Sequence, residues 1–352
     1  MSSGRLKAPF PYFGGKSSVA DLVWERFGNV QNYVEPFFGS GAVLLNRPHA
    51  PGIETVNDLD CMVANFWRAL QHNPEEVADA ADWPVNEADQ HARHLWLCSQ
   101  AEFRERIKTD PEFYDTKIAG WWVWGQCIWI GSGWCARQLP HLGDAGTGVH
   151  RQLPHLGSAG AGVHRKRPHL GDAGKGVHRK RPHLGDAGKG VLTSGTRRNQ
   201  LLAYMQELAE RLRSVRVCCG DWQRVCGHCV TVTHGITGVF LDPPYADEAK
   251  RTSDLYAQDS GDVAHAVREW AIECGEDPRA RIALCGYQGE HEMPGGWECI
   301  AWKANGGYGS QGNNAARENS TRERIWFSPY CIRASLFSEL KGEVEMENTC
   351  KA

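Results

Sequence analysis

The segment with the sharpest chemical content is Leu241-Asp242-Pro243-Pro244-Tyr245, which follows directly on the apolar run Val239-Phe240-Leu241. An acid at the carboxyl end of a strand stands where open α/β sheets bind their ligands. The two prolines hold the backbone extended and bring no N–H groups, so carbonyls there stay free as acceptors. A carboxylate, a free carbonyl and an aromatic ring in succession are suited to gripping the exocyclic amino group of a planar base. The plain alternative is a strand that ends in a turn.

Three further blocks carry chemistry. Glu35-Pro36-Phe37-Phe38-Gly39-Ser40-Gly41 reads as a strand running into a glycine turn and then a helix. Glycines there let a ligand approach the backbone, and a helix start offers N–H groups. The third glycine of the dinucleotide fingerprint is missing. About 20 residues on, Asp58 closes Val56-Asn57-Asp58, at the place from which an acid reaches ribose hydroxyls. That pairing favours a cofactor containing a nucleoside. Pro11-Tyr12-Phe13-Gly14-Gly15-Lys16-Ser17 contains Gly-Lys-Ser, but Phe10 occupies the first glycine position of a phosphate loop, and the segment precedes the strands. Both points exclude an ATPase. Cys219-Gly220-Asp221-Trp222 again sets an acid and an aromatic at a strand end.

The elements that must position these residues have an α/β rhythm. Strands are expected at 32–37, 54–56, 215–219, 238–241, 281–285, 298–302 and 324–327. Leu201, Leu202, Met205, Leu208 and Leu212 set helical spacing over 198–214, and a second helix is expected near 263–274. Such alternation predicts a mostly parallel sheet, one α/β domain split by an insertion over 61–214. Residues 61–136 of the insertion read as helical. Their run AGWWVWGQCIWIGSGWC supplies Trp121, Trp122, Trp124, Trp129 and Trp134. Tryptophans so dense pack a core or an interface, with a base-stacking platform as the alternative.

Four nearly identical 14-residue copies follow over 137–191, from RQLPHLGDAGTGVH to RKRPHLGDAGKGV. Each has a proline (Pro140, Pro154, Pro168, Pro182) and three glycines, which excludes a coiled coil. The copies read as turn-rich and exposed. The whole chain of 352 residues carries a net charge of −3. Residues 137–192, however, hold ten Lys/Arg against three Asp, about +7, and leave about −10 for the rest. A catalytic body with a basic attachment shows this asymmetry.

Other classes recede. Apolar residues make up 41%, enough for a sizeable core. No apolar run approaches the length of a membrane span, and residues 1–16 lack the apolar stretch of a signal peptide. Thirteen scattered cysteines do not form a disulfide framework, so a reducing, cytoplasmic setting is expected. Cys226-Gly227-His228-Cys229, with Cys218, Cys219 and His234 nearby, raises zinc or redox chemistry. A structural zinc site needs a second clearly spaced pair, and Val230-Thr231-Val232 favours extended structure over the helix of a redox motif. No metal is expected.

The four blocks, in this order, resemble the Dam-like family of DNA N6-adenine methyltransferases, in the arrangement of its alpha group. Pro11–Lys16 is similar to the family's amino-terminal cofactor motif and Glu35–Gly41 to its glycine turn, while Asp242–Tyr245 reproduces its catalytic tetrapeptide. The resemblance implies a Rossmann-like S-adenosylmethionine-dependent methyltransferase sheet over 1–60 and 215–335. A target-recognition insertion over 61–214 and a tail over 336–352 complete the chain. It implies that Tyr12, Lys16, Glu35, Phe37, Gly39, Asp58, Asp221, Trp222 and Asp242 bind S-adenosylmethionine. Asp242, Pro243, Pro244 and Tyr245 would then act on a flipped adenine of double-stranded DNA. Arg165, Lys166, Arg167, Arg179, Lys180 and Arg181 of the repeats are the expected phosphate contacts. Such an enzyme works beside a restriction endonuclease or as an orphan, without a membrane partner. Alternatives are methylation of cytosine N4 or of RNA, and a DNA-binding protein with a decayed site.

Deleting two repeat copies, residues 151–178, removes five Lys/Arg and one Asp. We expect folding and cofactor affinity to persist while DNA binding weakens. Each lost phosphate contact should flatten the slope of log affinity against log salt by about 0.9. A salt titration with an unchanged slope would make the repeats a passive expansion.

Overall fold

The computed structural model describes residues 6–12, 15–129, 134–135, 194–245, 257–302 and 322–333. The repeats, with Arg165, Lys166, Arg167, Arg179, Lys180 and Arg181, lie outside the described residues, as does the tail over 336–352. The chain divides into two units. One comprises Met1–Ala8, Tyr12–Ala64 and Arg211–Ala352, the other Pro9–Pro11 and Asn65–Glu210.

The first unit is a mixed α/β structure on a seven-stranded sheet. Its strands are β1 (Asn32–Glu35), β2 (Ile53–Asp58), β3 (Val215–Cys219), β4 (Thr237–Leu241), β5 (Ala280–Tyr287), β6 (Glu298–Ala301) and β7 (Glu323–Phe327). The spatial order is β3-β2-β1-β4-β5-β7-β6. The first five are parallel, with Val34 opposite both Thr55 and Val239. β7 runs antiparallel between β5 and β6. The expected strands are present, and the mostly parallel expectation needs this antiparallel edge added.

Alternation along each strand sorts the side chains onto two faces. On one face Val34, Val239, Leu241, Ile282 and Leu284 form a core with Trp222, Val225 and Val267. Val267 lies on the helix Ala257–Cys274. On the other, Tyr33 packs against Trp24 and Phe27, with ring centroids 5.0 and 6.3 Å apart. Both aromatics belong to α1 (Ala20–Phe27), and the Trp24 indole N–H donates to the Val43 carbonyl at 2.8 Å. α2 (Ala42–Leu45), which holds Val43, is a single turn. Gly238 leaves room for Phe27, whose ring would lie 2.8 Å from any Cβ there.

One buried ion cluster holds this unit together. Glu54 on β2 is 1% exposed and pairs with Arg47 at 3.0 Å and with Arg211 at 2.7 and 2.8 Å. The two guanidiniums also donate to the Val30 and Leu44 carbonyls. The cluster is thus hydrogen-bonded on both sides of the carboxylate, the condition under which buried charge is tolerated.

The second unit is helical, as read from the sequence. It contains most of α3 (Cys61–His72), then α4 (Pro74–Ala81), α5 (Glu87–Cys98), α6 (Ala101–Thr109), α7 (Thr116–Ile128) and most of α8 (Ser194–Leu212). Asn86 and Asp115 cap α5 and α7 by accepting the backbone N–H three residues on. Trp122 and Trp124 are buried core residues, and Trp122 packs edge-on to Phe10 and near Phe66. Gly125 makes room on α7 for the Trp134 ring, whose N–H donates to the Trp122 carbonyl. Most of the tryptophan run is therefore core. Trp121 is only partly buried, and the Arg93 guanidinium lies 4.7 Å from its ring centroid.

One local expectation needs correction. Val230-Thr231-Val232 is not extended: a turn leads into the short 3-10 helix Val232–His234. The Thr231 and Thr233 hydroxyls donate back to the Gly227 and His228 carbonyls, offering the chain an alternative to a strand. α9 (Gln223–Cys226) ends just before this turn.

Replacing Glu54 by leucine would leave two arginines without their carboxylate. Breaking a buried pair in this way costs about 3–5 kcal/mol, so the denaturant midpoint should fall steeply. A shift under about 1 kcal/mol would show the cluster to be screened like a surface pair.

Candidate active site

Four segments meet at the carboxyl ends of β1, β2, β3 and β4. Asp242 is the first residue after β4, and its Oδ1 lies 2.8 Å from the Lys16 Nζ. Lys16 belongs to a single 3-10 turn, Lys16–Ser18, ahead of α1. Burial alone would loosen its proton, but Asp242 beside it, with Cys285 and Glu323, leaves its pKa raised. The ammonium also lies 5.4 and 5.5 Å from the ring centroids of Tyr245 and Trp302. The second carboxylate oxygen of Asp242 has no partner among the described residues. Pro243 is buried and Pro244 exposed.

Tyr245 is 6% exposed. Its hydroxyl lies 2.9 Å from Glu323 Oε2 and 3.3 Å from Asp242 Oδ1, and its ring packs edge-on against Tyr287 at 4.5 Å. Burial, then Asp242, Cys285 and Glu323, drives the phenol well above its ordinary pKa.

The glycine turn is built for internal bonds. Gly39 and Gly41 have φ of +48° and +67°, where a Cβ is disfavoured. The Gly39 N–H donates to Asp58 Oδ2 at 2.8 Å, and the Gly41 N–H to the Phe38 carbonyl. A Cβ on Gly39 would come within 2.6 Å of the Tyr12 ring. So the glycine makes room for Tyr12, and its N–H is taken up by Asp58. The following helix, α2, is too short to present the array of N–H groups that the sequence suggested.

Asp58 is half-buried and also accepts the Asp60 N–H at 2.9 Å on Oδ1. Burial and the neighbouring Asp60 raise its pKa to about 7, against the two backbone bonds. Each oxygen retains a lone pair for a further donor. Burial similarly pushes Glu35 well above the carboxylate range, while the Tyr33 hydroxyl donates to it at 2.8 Å. Phe37 is half-buried, 6.4 Å from Trp222 at a 30° tilt. Trp222 is buried in the core, whereas Asp221 is exposed and accepts the Gln223 N–H.

Two residues of this region escape a reading of the sequence. Asn57, 1% exposed, donates to the Pro36 and Gly220 carbonyls at 3.1 and 2.9 Å, tying three strand ends together. Its place inside Val56-Asn57-Asp58 was the available signal. Glu323 gave none, because its partner Tyr245 is 78 residues away. At the Cys-x-x-Cys pair, Cys226 is buried and Cys229 exposed. No group of three or more metal-ligating side chains occurs among the described residues.

Residues 12–113 match the family model of D12 class N6 adenine-specific DNA methyltransferases. The match covers 102 of the 352 residues and makes this segment similar to that family. The match supports transfer of a methyl group to adenine N6 in DNA, and the matched family takes S-adenosylmethionine as donor. The matched segment holds the glycine turn, Asp58 and the helices through α6; the tetrapeptide lies beyond it. No curated protein matches the chain. Among the described residues, no helix is long and apolar enough to cross a membrane.

Proposed function

We propose that the crevice between Asp58 and Asp242 binds S-adenosylmethionine and a flipped adenine of double-stranded DNA. The observation that carries this reading is the Asp242 carboxylate at a strand end, with one oxygen held by Lys16 and the other without a partner among the described residues. The donor set fits the cofactor. Asp58 has lone pairs for ribose hydroxyls, Asp221 is exposed beside it, and Phe37 offers a half-buried ring face. Tyr12, Lys16, Glu35, Gly39 and Trp222 shape the rest of the pocket. The carboxylates suit the positive charge of the ligand.

When bound, S-adenosylmethionine supplies an electrophilic methyl group on a sulfonium. An adenine amino nitrogen is a weak nucleophile, because its lone pair is delocalised into the ring. Asp242 accepts one of its N–H bonds, and the Pro243 or Pro244 carbonyl accepts the other. These two acceptors draw the nitrogen toward tetrahedral geometry and aim its lone pair. Lys16 fixes the carboxylate that does this, and Tyr245 supplies the ring against which the base stacks. Catalysis then rests on positioning and electrostatics.

The amino group is out of reach inside a duplex, so the base must be extruded at a cost of a few kcal/mol. Phosphate contacts offset that cost. We assign them to the insertion over 61–214, including the Lys/Arg of the repeats, and methyl transfer to 1–60 with 215–335. The reaction takes place in the cytoplasm.

Asp242→Ala should leave a folded protein and lower turnover by orders of magnitude, because it removes an acceptor needed most in the transition state. Labelled-methyl incorporation into duplex DNA checks this. More than about a tenth of the wild-type rate would sink the assignment.

Asp58, with its pKa near 7, must be ionised to accept the ribose hydroxyls fully. Binding therefore lowers its pKa, and affinity should rise as pH climbs through 7 and level off above. Calorimetry should find S-adenosylmethionine bound roughly tenfold more weakly one pH unit below that pKa than one unit above it. Asp58→Asn should flatten the dependence; a flat wild-type profile would show that another acid holds the ribose.

A further inference from the structure

The hydroxyl of Tyr245 lies between two carboxylates, and a hydroxyl has one proton to donate. The shorter contact, 2.9 Å, is to Glu323; that to Asp242 is 3.3 Å. Glu323 opens β7 opposite Tyr287 in the antiparallel register, and Tyr287 is the ring against which Tyr245 packs. Glu323 is 5% exposed. Strand register, ring packing and hydrogen bond thus bring Glu323 to a phenol that touches Asp242.

We propose that Glu323 is a positioning residue for methyl transfer: by holding the Tyr245 hydroxyl proton, it keeps Asp242 free to accept from the substrate amino group. This rests on the assignment of Asp242 and Tyr245 above. The reasoning is one of acceptor capacity. Asp242 Oδ1 already receives Lys16, and a second donation from Tyr245 would draw charge from the carboxylate that must polarise a weak nucleophile. Hydrogen bonds to an ionised acceptor are the strong ones, so a phenol released from Glu323 turns to the nearest remaining carboxylate, that of Asp242. Loss of Glu323 also frees the Tyr245 ring from one of its anchors.

The test is a double-mutant cycle on turnover, paired with a measurement that needs no activity. Glu323→Ala should lower kcat roughly tenfold, with KM for DNA and for S-adenosylmethionine within about twofold. Glu323→Gln, which retains an acceptor oxygen, should recover most of the loss. In a Tyr245→Phe background, Glu323→Ala should change kcat by less than about twofold, because there is no hydroxyl left to redirect. Additive losses, or no rescue by glutamine, would make Glu323 a merely structural residue and overturn the proposal. In parallel, the ring Cζ carbon of Tyr245, labelled in the ligand-free protein and assigned with Tyr245→Phe, should change its NMR shift in Glu323→Ala. An unmoved resonance overturns the hydrogen bond itself. A cycle that couples the two residues while Asp242→Ala keeps full activity would instead fault the assignment of Asp242 and leave the Glu323–Tyr245 link standing.

Discussion

The site depends on β1 lying between two parallel neighbours. From β1 the chain passes first to β2 and β3 on one side. Only later does it return on the other side as β4 and β5. Connections leaving the sheet on opposite sides of β1 must diverge at its carboxyl end, and the gap between them is a crevice. Every polar group of the site borders that gap: Glu35 ends β1, Asp58 ends β2, and Asp242 follows β4. The cross-ties hold its edges tightly. Asn57 reaches the ends of β1 and β3 at once, and Asn32 at the opposite end of β1 bonds the Val230 and Thr231 carbonyls.

The electrostatics of the crevice are lopsided. Asp242 and Glu323 act on one well-buried ammonium, Lys16, while Glu35 feels the charges of Asp242 and Asp58. Burial and mutual repulsion push carboxyl groups toward their neutral forms. That is visible in the raised pKa values of Glu35 and Asp58. Acids set in this way favour a positive charge or a hydrogen-bond donor beside them. Perturbed acids gathered at strand ends are candidates for function, and here the two perturbed acids end β1 and β2.

Contiguous features were legible in the sequence. The tetrapeptide at 242–245, the glycine turn and the strand at 215–219 each declare themselves within a few residues, because their chemistry is local. Features that depend on a distant partner were not. Nothing in the local pattern at 298–302 or 324–327 says that β7 inserts between β5 and β6. The β-branched run at 230–232 points to a strand, yet threonine hydroxyls capture the nearby carbonyls and close a turn. The Gly39 N–H reads as available to a ligand, but in the fold Asp58 accepts it. An acid at position 323 is plain in the sequence; the buried phenol that lies against it is not.

The pairing of β1 with β4 also sets a condition on how the chain is made. Asn32 and Thr237, hydrogen-bonded neighbours in the finished sheet, are 205 positions apart. A nascent chain that has completed β1 and β2 must wait for the whole intervening segment before that edge is covered. At a synthesis rate of about 5–20 residues per second, the wait is at least roughly ten seconds. During it the apolar faces of β1, Val34 on one side and Tyr33 on the other, have no strand to shield their open edge. Contacts so remote in the chain slow folding.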